Sequence, residues 1–189
     1  MRSPTGWPRA AVLTQNREVP RDPMVIRRAG PEESASIQAI EVAAGLQFAE
    51  VGLARVAEDP PMALDRIEQL CRDGRAWVAA DGVDRPRAFL LETRVDGGVH
   101  VAELSVHPAV ARRRIGRSLL DHVAASAADD GLVSVTLTTF TEVPWNAPYY
   151  QRCGFRILAD HETGPELAEL LGTERRRGTA PRVAMLRQC

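Results

Sequence analysis

At Pro108 the hydrophobic period changes from that of strands to that of a helix, and that change limits what the chain can become. Before it, the runs RAWVAAD, PRAFLLETRV and HVAELSVHP read as strands, separated by GVDR and DGG, which is the turn chemistry of antiparallel hairpins. After it, Ile115, Leu119, Val123 and Ala127 recur every four residues with Leu120 and Ala124 beside them, which predicts a helix that Gly131 stops. LVSVTLTTF follows, β-branched and without charge, as a buried central strand would be. Hairpins make antiparallel pairs and a helical crossover makes a parallel one, so a single sheet has to hold both.

The flanking segments extend the same plan. MVIRRA predicts a first strand. GPEESASIQAIEVAAGLQF predicts a helix with Pro31 in its first turn, Glu32 and Glu33 at its positive end, and Ile37, Ile40 and Ala44 on one face. VGLARVAEDPP reads as a loop of partly helical character. MALDRIEQLCRDG predicts a second helix that buries Leu64, Ile67, Leu70 and Cys71 and ends at Gly74. After the central strand, TEVPWNAPYYQRCGF predicts a loop and a short helix, FRIL a strand, GPELAELLGTERRRG a helix, and RVAMLRQ a last strand. The fold class is α/β (α+β), a mixed sheet of about seven strands flanked by helices. Residues 1–23 hold Pro4, Pro8, Pro20 and Pro23 and show no period, which predicts a flexible N-terminal arm on one domain of residues 24–189.

Composition narrows the function classes. With 44% hydrophobic residues, 26% charged and a net charge of -1, the chain has the makings of a core and no global field for nucleic acid or a membrane surface. Cys71, Cys153 and Cys189 lack metal-type spacing and read as reduced thiols of a cytoplasmic protein; no metal is expected. No apolar run approaches the ~20 residues of a membrane helix, and AAVL is too short for a signal peptide. Neither a nucleoside-triphosphate loop nor a dinucleotide fingerprint is present.

HPAVARRRIGRSLLDHV places three arginines and a glycine where a strand gives way to a helix. Unpaired first-turn N–H groups and the helix dipole favour an anion there, glycine permits close approach, and arginine forks bind phosphate. Arg112, Arg113, Arg114 and Gly116 supply those parts; a charged surface turn is the alternative. Together, ELSVHPAVARRRIGRSLLDHV, VTLTTF and VPWNAPYYQRCGF resemble the GNAT superfamily of acyl-CoA-dependent N-acetyltransferases, in particular a bacterial subgroup whose members mostly have no assigned substrate. The resemblance covers residues 24 to about 187. The family's phosphate signature, (Q/R)-x-x-G-x-(G/A), falls on residues 111–116, but Ala111 replaces its first residue and Arg114 its first glycine.

The resemblance implies a twisted sheet splayed between its fourth and fifth strands. The pantetheine arm of acetyl-CoA would pair with Leu104, Ser105 and Val106, and the pyrophosphate would sit over Arg112, Arg113, Arg114, Ile115, Gly116, Arg117 and Ser118. It implies acetyl transfer to a primary amine of a small molecule or peptide by direct attack, with Glu103 as general base and Tyr150 as general acid. A rim charge is the alternative for Glu103, and packing, which falls to Tyr149, the alternative for Tyr150. Asn146 is either a helix cap or a cofactor contact. The acceptor would lie between residues 47–61 and 160–164, with Phe48, Glu50 and Trp145 as contacts and Met62 as a further apolar wall. Glu50, Glu58, Asp59, Asp160 and Glu162 would make its walls acidic. His107 reads as a loop residue, His122 as solvent-facing, Cys153 as packing, and Arg175, Arg176 and Arg177 as a solvated helix end. Relatives are often homodimers. A non-catalytic acyl-CoA sensor of the same fold is the competing function.

Overall fold

The structure, a computed structural model, describes residues 23–178 and 180–189. The expected arm therefore lies outside the described residues, apart from Pro23. The chain runs β1 (Val25–Arg28), α1 (Ser34–Gly45), α2 (Ala54–Glu58), α3 (Leu64–Arg72), β2 (Ala76–Ala80), β3 (Pro86–Val95), β4 (Gly98–Val106), α4 (Ile115–Asp129), β5 (Ser134–Phe140), α5 (Ala147–Arg152), β6 (Arg156–Ile157), α6 (Pro165–Arg176) and β7 (Arg182–Gln188). The seven strands form one sheet in the order β1-β2-β3-β4-β5-β7-β6. Only β4 and β5, the pair joined through α4, run parallel. The sequence expectation of antiparallel hairpins followed by a parallel crossover is met.

Apolar side chains on the two faces account for the layers. On one face Leu119, Leu120, Val123, Ala124 and Ala127 of α4 pack on Leu90, Val99, Val101, Val135, Leu137 and Met185. On the other, Ile37 and Ile40 of α1 and Ile67, Leu70 and Cys71 of α3 cover Val78, Phe89 and Leu91. Leu167 and Leu171 of α6 cover Ala184 beside them. Two expectations fail in detail. Leu64 opens α3 and is 41% exposed, leaving Ile67, Leu70 and Cys71 as the buried face. His122 is half-buried rather than solvent-facing: it meets the Trp77 ring edge-on at 4.4 Å, and Arg28 covers that ring at 3.5 Å. No helix among the described residues is long and apolar enough to cross a membrane.

The β3–β4 turn is where DGG was expected to act. Asp96 and Gly97 take φ of +50° and +75°, the left-handed pair of a tight hairpin. Asp96 also caps α6: its carboxylate accepts from the N–H groups of Glu166 and Leu167 at 3.0 and 3.1 Å, and its own N–H bonds the Glu166 carboxylate. Asp96→Ala is expected to lower stability by about 1–2 kcal/mol, through the lost cap. Chemical denaturation at neutral pH checks this, and an unchanged midpoint would refute it.

One irregularity positions everything that follows. In the β3–β4 ladder Leu91 pairs with Glu103 while Glu92 pairs with Val101, so Ala102 is an extra residue, a β-bulge. Strict alternation from Val99 and Val101 would have placed Glu103 on the α4 face. The bulge instead gives that face to Leu104 and Val106 and turns Glu103 and Ser105 towards the opposite one.

Candidate active site

The parallel ladder between β4 and β5 stops early. Residues 99–101 pair with 135–137, after which β4 continues to Val106 and β5 to Phe140 without pairing each other. His107 donates its N–H to Arg87 on the β3 side, so by alternation Glu103 and Ser105 turn their backbone groups to β3 as well. Leu104 and Val106 direct theirs into the gap. Buried backbone groups need partners, and this short edge is an open place for an extended ligand.

The chain leaves β4 through His107, whose ring accepts from Ala109 N–H as a loop residue's would, and reaches α4 through residues 111–114. Arg112 and Arg114 both adopt left-handed backbone, with φ of +62° and +61°. Arg114 thus takes the conformation for which the family signature keeps a glycine. Left-handed backbone strains a residue with a Cβ, so Arg114→Gly is expected to raise stability by about 1 kcal/mol and Arg114→Ala to leave it nearly unchanged. Thermal melts of the two variants, read side by side, test this; a more stable alanine variant would contradict it.

The first helical bond of α4 runs from Ser118 N–H to Arg114 C=O, so the N–H groups of Ile115, Gly116 and Arg117 have no helical partner. Arg112, Arg113 and Arg114 are exposed around them. Gly116 has a further reason to be glycine. A Cβ built there would stand 2.8 Å from the Tyr149 hydroxyl, so any side chain would displace that ring. Tyr149 packs on the core beneath α4, as a packing tyrosine should.

Glu103 is half-buried, and Ser105 Oγ donates to its Oε1 at 2.9 Å. Burial pushes its carboxyl up to about 7, the nearby Glu41 charge adds to that, and the Ser105 bond and Arg182 oppose it. Tyr150 lies on α5, with its ring edge-on to Phe155 at 5.8 Å. Burial, then the charge of Glu103, push its phenol well above the usual tyrosine range. The structure therefore brings Glu103 and Tyr150 within electrostatic reach of each other. Asn146 occupies the position before α5, but its side chain makes no capping bond; only its carbonyl accepts from Tyr149 and Tyr150. That corrects the capping reading.

On the acceptor side Phe48 stands edge-on to both Phe140 and Trp145, at 5.7 Å in each case. Trp145 Nε1 is buried without a hydrogen-bond partner. Glu50 is exposed. Glu41 and Arg182 surround Glu103 and were missed in the sequence: nothing in either local pattern marks them. Glu41 holds Met62 N–H with both carboxylate oxygens at 3.1 and 3.2 Å, which docks the loop before α3 onto α1.

The expected wall at residues 160–164 divides between the two ends of the sheet. A Cβ on Gly164 would meet Asp96 at the closed end of the sheet, away from the gap. Asp160 pairs with Arg175 at 3.6 Å and Glu162 with Arg156 at 2.8 Å. The segment that reaches the open end is the one entering β7: Gly178, Ala180, Pro181, Arg182 and Val183, with Thr141 and Arg175, line a cavity of about 560 Å3. Gly178 also borders a smaller hollow with residues 52–56. No group of three or more His, Cys, Asp or Glu among the described residues is placed to hold a metal.

The family model for the acetyltransferase (GNAT) domain matches residues 72–157. The mycothiol acetyltransferase of Clavibacter michiganensis is 47% identical over 57 residues, 30% of this chain and 18% of that protein. The chain thus spans less than a fifth of the curated relative it matches. PaiA N-acetyltransferase from Thermoplasma acidophilum, solved in complex with coenzyme A, superposes with a TM-score of 0.62 at 14% identity over 88% of this chain and 99% of that one. N-acetylglutamate synthase from Neisseria gonorrhoeae, solved with coenzyme A and N-acetyl-glutamate, gives 0.64 at 15% identity over 87% of this chain and 35% of that one. The matched segment, which runs through the bulge, the gap and the loop before α4, is similar to a GNAT acetyltransferase domain, and the fold of those solved structures is shared along most of this chain.

Proposed function

We propose that the chain transfers the acetyl group of acetyl-CoA to a primary amine, with Glu103 as the base and Tyr150 as the acid. The observation that carries this reading is the half-buried Glu103, turned by the Ala102 bulge out of the α4 face at the edge of an unpaired strand. The chain's groups fit the co-substrate. The free backbone groups of Leu104 and Val106 suit the amides of a pantetheine arm, and the free N–H groups of residues 115–117, ringed by Arg112, Arg113 and Arg114, suit a diphosphate. The shared fold of an N-acetyltransferase and an N-acetylglutamate synthase, both solved with coenzyme A, supports the same fit.

Acetyl-CoA supplies the activated acyl carbon. Glu103, held by Ser105 and protonating near neutrality, accepts the proton that the amine sheds as its nitrogen bonds that carbon. The Leu104 N–H, next to Glu103 on the strand, offers a hydrogen bond to the carbonyl oxygen as charge builds on it, which leaves the Leu104 carbonyl and the Val106 groups to the pantetheine amides. The carbon–sulfur bond breaks, and Tyr150 gives its proton to the departing sulfur; its raised phenol keeps that proton available at neutral pH. Asn146, its side chain not engaged in capping, is a further contact for the pantetheine.

The left-handed backbone of Arg114 keeps the loop in the shape the signature glycine would give it, which supports acyl-CoA binding by a transferase and by a non-catalytic sensor alike. The test is calorimetric binding of acetyl-CoA together with thiol release over a panel of amines. Tight binding with no amine-dependent release would favour the sensor; no binding would overturn both.

A further inference from the structure

We propose that the amine acceptor carries a carboxylate, which the Arg182 guanidinium binds in the cavity at the open end of the sheet. This deepens the acetyl-transfer reading and rests on it. The cavity's two ionisable lining residues are Arg175 and Arg182, and the adjoining hollow by α2 contains Arg55. Of the acids the sequence offered for this wall, Glu162 is bonded to Arg156 and to Ala159 N–H, and Asp160 is paired with Arg175 at 3.6 Å without lining the cavity itself.

Arg182 uses its Nε on Glu174 at 3.0 Å and lays its guanidinium plane over the Phe140 ring at 4.3 Å. Among the described residues neither of its Nη atoms makes a hydrogen bond, which leaves the planar, two-pronged edge that matches a carboxylate. Arg182 pairs with Phe140 at the end of β5, the strand that borders the gap beyond the last β4–β5 pair, so a group held on it lies beside the opening. A second donor is waiting: Trp145 Nε1 is buried, unpartnered and part of the aromatic cluster that includes Phe140. A buried donor left unpaired is costly, and an acceptor oxygen would relieve it. The cavity lining thus offers arginine donors and no carboxylate of its own, Glu174 holding only the Nε of Arg182, while Glu103 waits at the reacting centre. Its complement is a small molecule with an amine at one end and a carboxylate at the other, an amino acid or a close derivative. A polyamine has no group for the free Nη edge.

The experiment compares matched acceptors on the whole chain with saturating acetyl-CoA: each L-amino acid, its carboxamide, its decarboxylated amine, and spermidine. The expected kcat/KM for the best acid exceeds that for its amide by about tenfold or more, the size of a charge-assisted bond. The amide has the less basic amine, so proton availability alone would give the opposite order. Arg182→Gln should bring the ratio close to one. An amide or spermidine that equals the acid, or a ratio that survives Arg182→Gln, overturns the proposal. If no amine releases coenzyme A, the acetyl-transfer reading fails by itself, and the indole N–H resonance of Trp145, assigned by its loss in Trp145→Phe, decides this one. It should shift on titration with an amino acid and coenzyme A and stay in place with the amide; equal response to both, or to neither, overturns the proposal.

Discussion

Glu103→Gln is expected to lower kcat for acetyl transfer by about 10²–10³-fold, the usual contribution of a positioned general base. The substitution keeps the size of the side chain and its place beside Ser105, which at 2.9 Å can still hydrogen-bond an amide oxygen. What disappears is the proton acceptor. In the wild type, kcat/KM should rise with pH through about 7, because burial has moved the carboxyl there from 4.5. The variant should lack that limb. Stability moves in the other direction. The folded chain holds the Glu103 proton more tightly than the unfolded chain does, so this carboxyl stabilises the fold fully below about 4.5, and the contribution is lost as pH rises through about 7. Glutamine carries no such loss. Relative to wild type, Glu103→Gln should therefore be more stable at pH 8 than at pH 5 by about 1–3 kcal/mol. Paired melts at the two pH values and a pH–rate profile check both halves. A rim carboxylate would show neither effect, and a variant with unaltered turnover would end its assignment as the base.

The structure bears out the fold the sequence predicted and departs from it where side chains meet across the sheet. The period change at Pro108, the DGG turn and the β-branched run at residues 134–140 are local signals, and each produced the element it predicted. The bulge at Ala102 is not local. It exists only as a mismatch between two strands, so alternation within HVAELSVHP could separate Glu103 from Leu104 but could not say which face each would take. The divided acceptor wall has a similar origin. Because β7 inserts between β5 and β6, the segment entering β7 reaches the open end, and residues 160–164 run from Arg175, which Asp160 meets, back to Asp96. The acidic composition of those residues was real, but their charges were already committed to arginines that are distant in sequence or lie on another element. Arg114 shows the converse. A helix-flanking arginine gives no hint of left-handed backbone, yet the family signature marked its position as a glycine's, and the backbone there is left-handed.

Tyr150→Phe is expected to cost about 10²–10³-fold in kcat and much less in the KM for acetyl-CoA, since only the proton to the leaving sulfur is withdrawn. The ring's edge-on contact with Phe155 at 5.8 Å and its packing on the α4-side core remain, so stability should change by less than about 1 kcal/mol. Tyr149→Phe is the informative contrast. Its hydroxyl fills the space over Gly116, so its loss should loosen the phosphate loop and show in KM rather than in kcat. A Tyr150→Phe enzyme that keeps a third or more of its turnover would rule out the acid role. The proposed base and acid also test one another. The negative charge of Glu103 helps hold the Tyr150 phenol up, so in Glu103→Gln that phenol should ionise at lower pH than in wild type, a displacement that tyrosinate absorbance reads directly. A packing tyrosine remote from the carboxylate would titrate identically in both proteins; a coupled pair across the gap requires the difference.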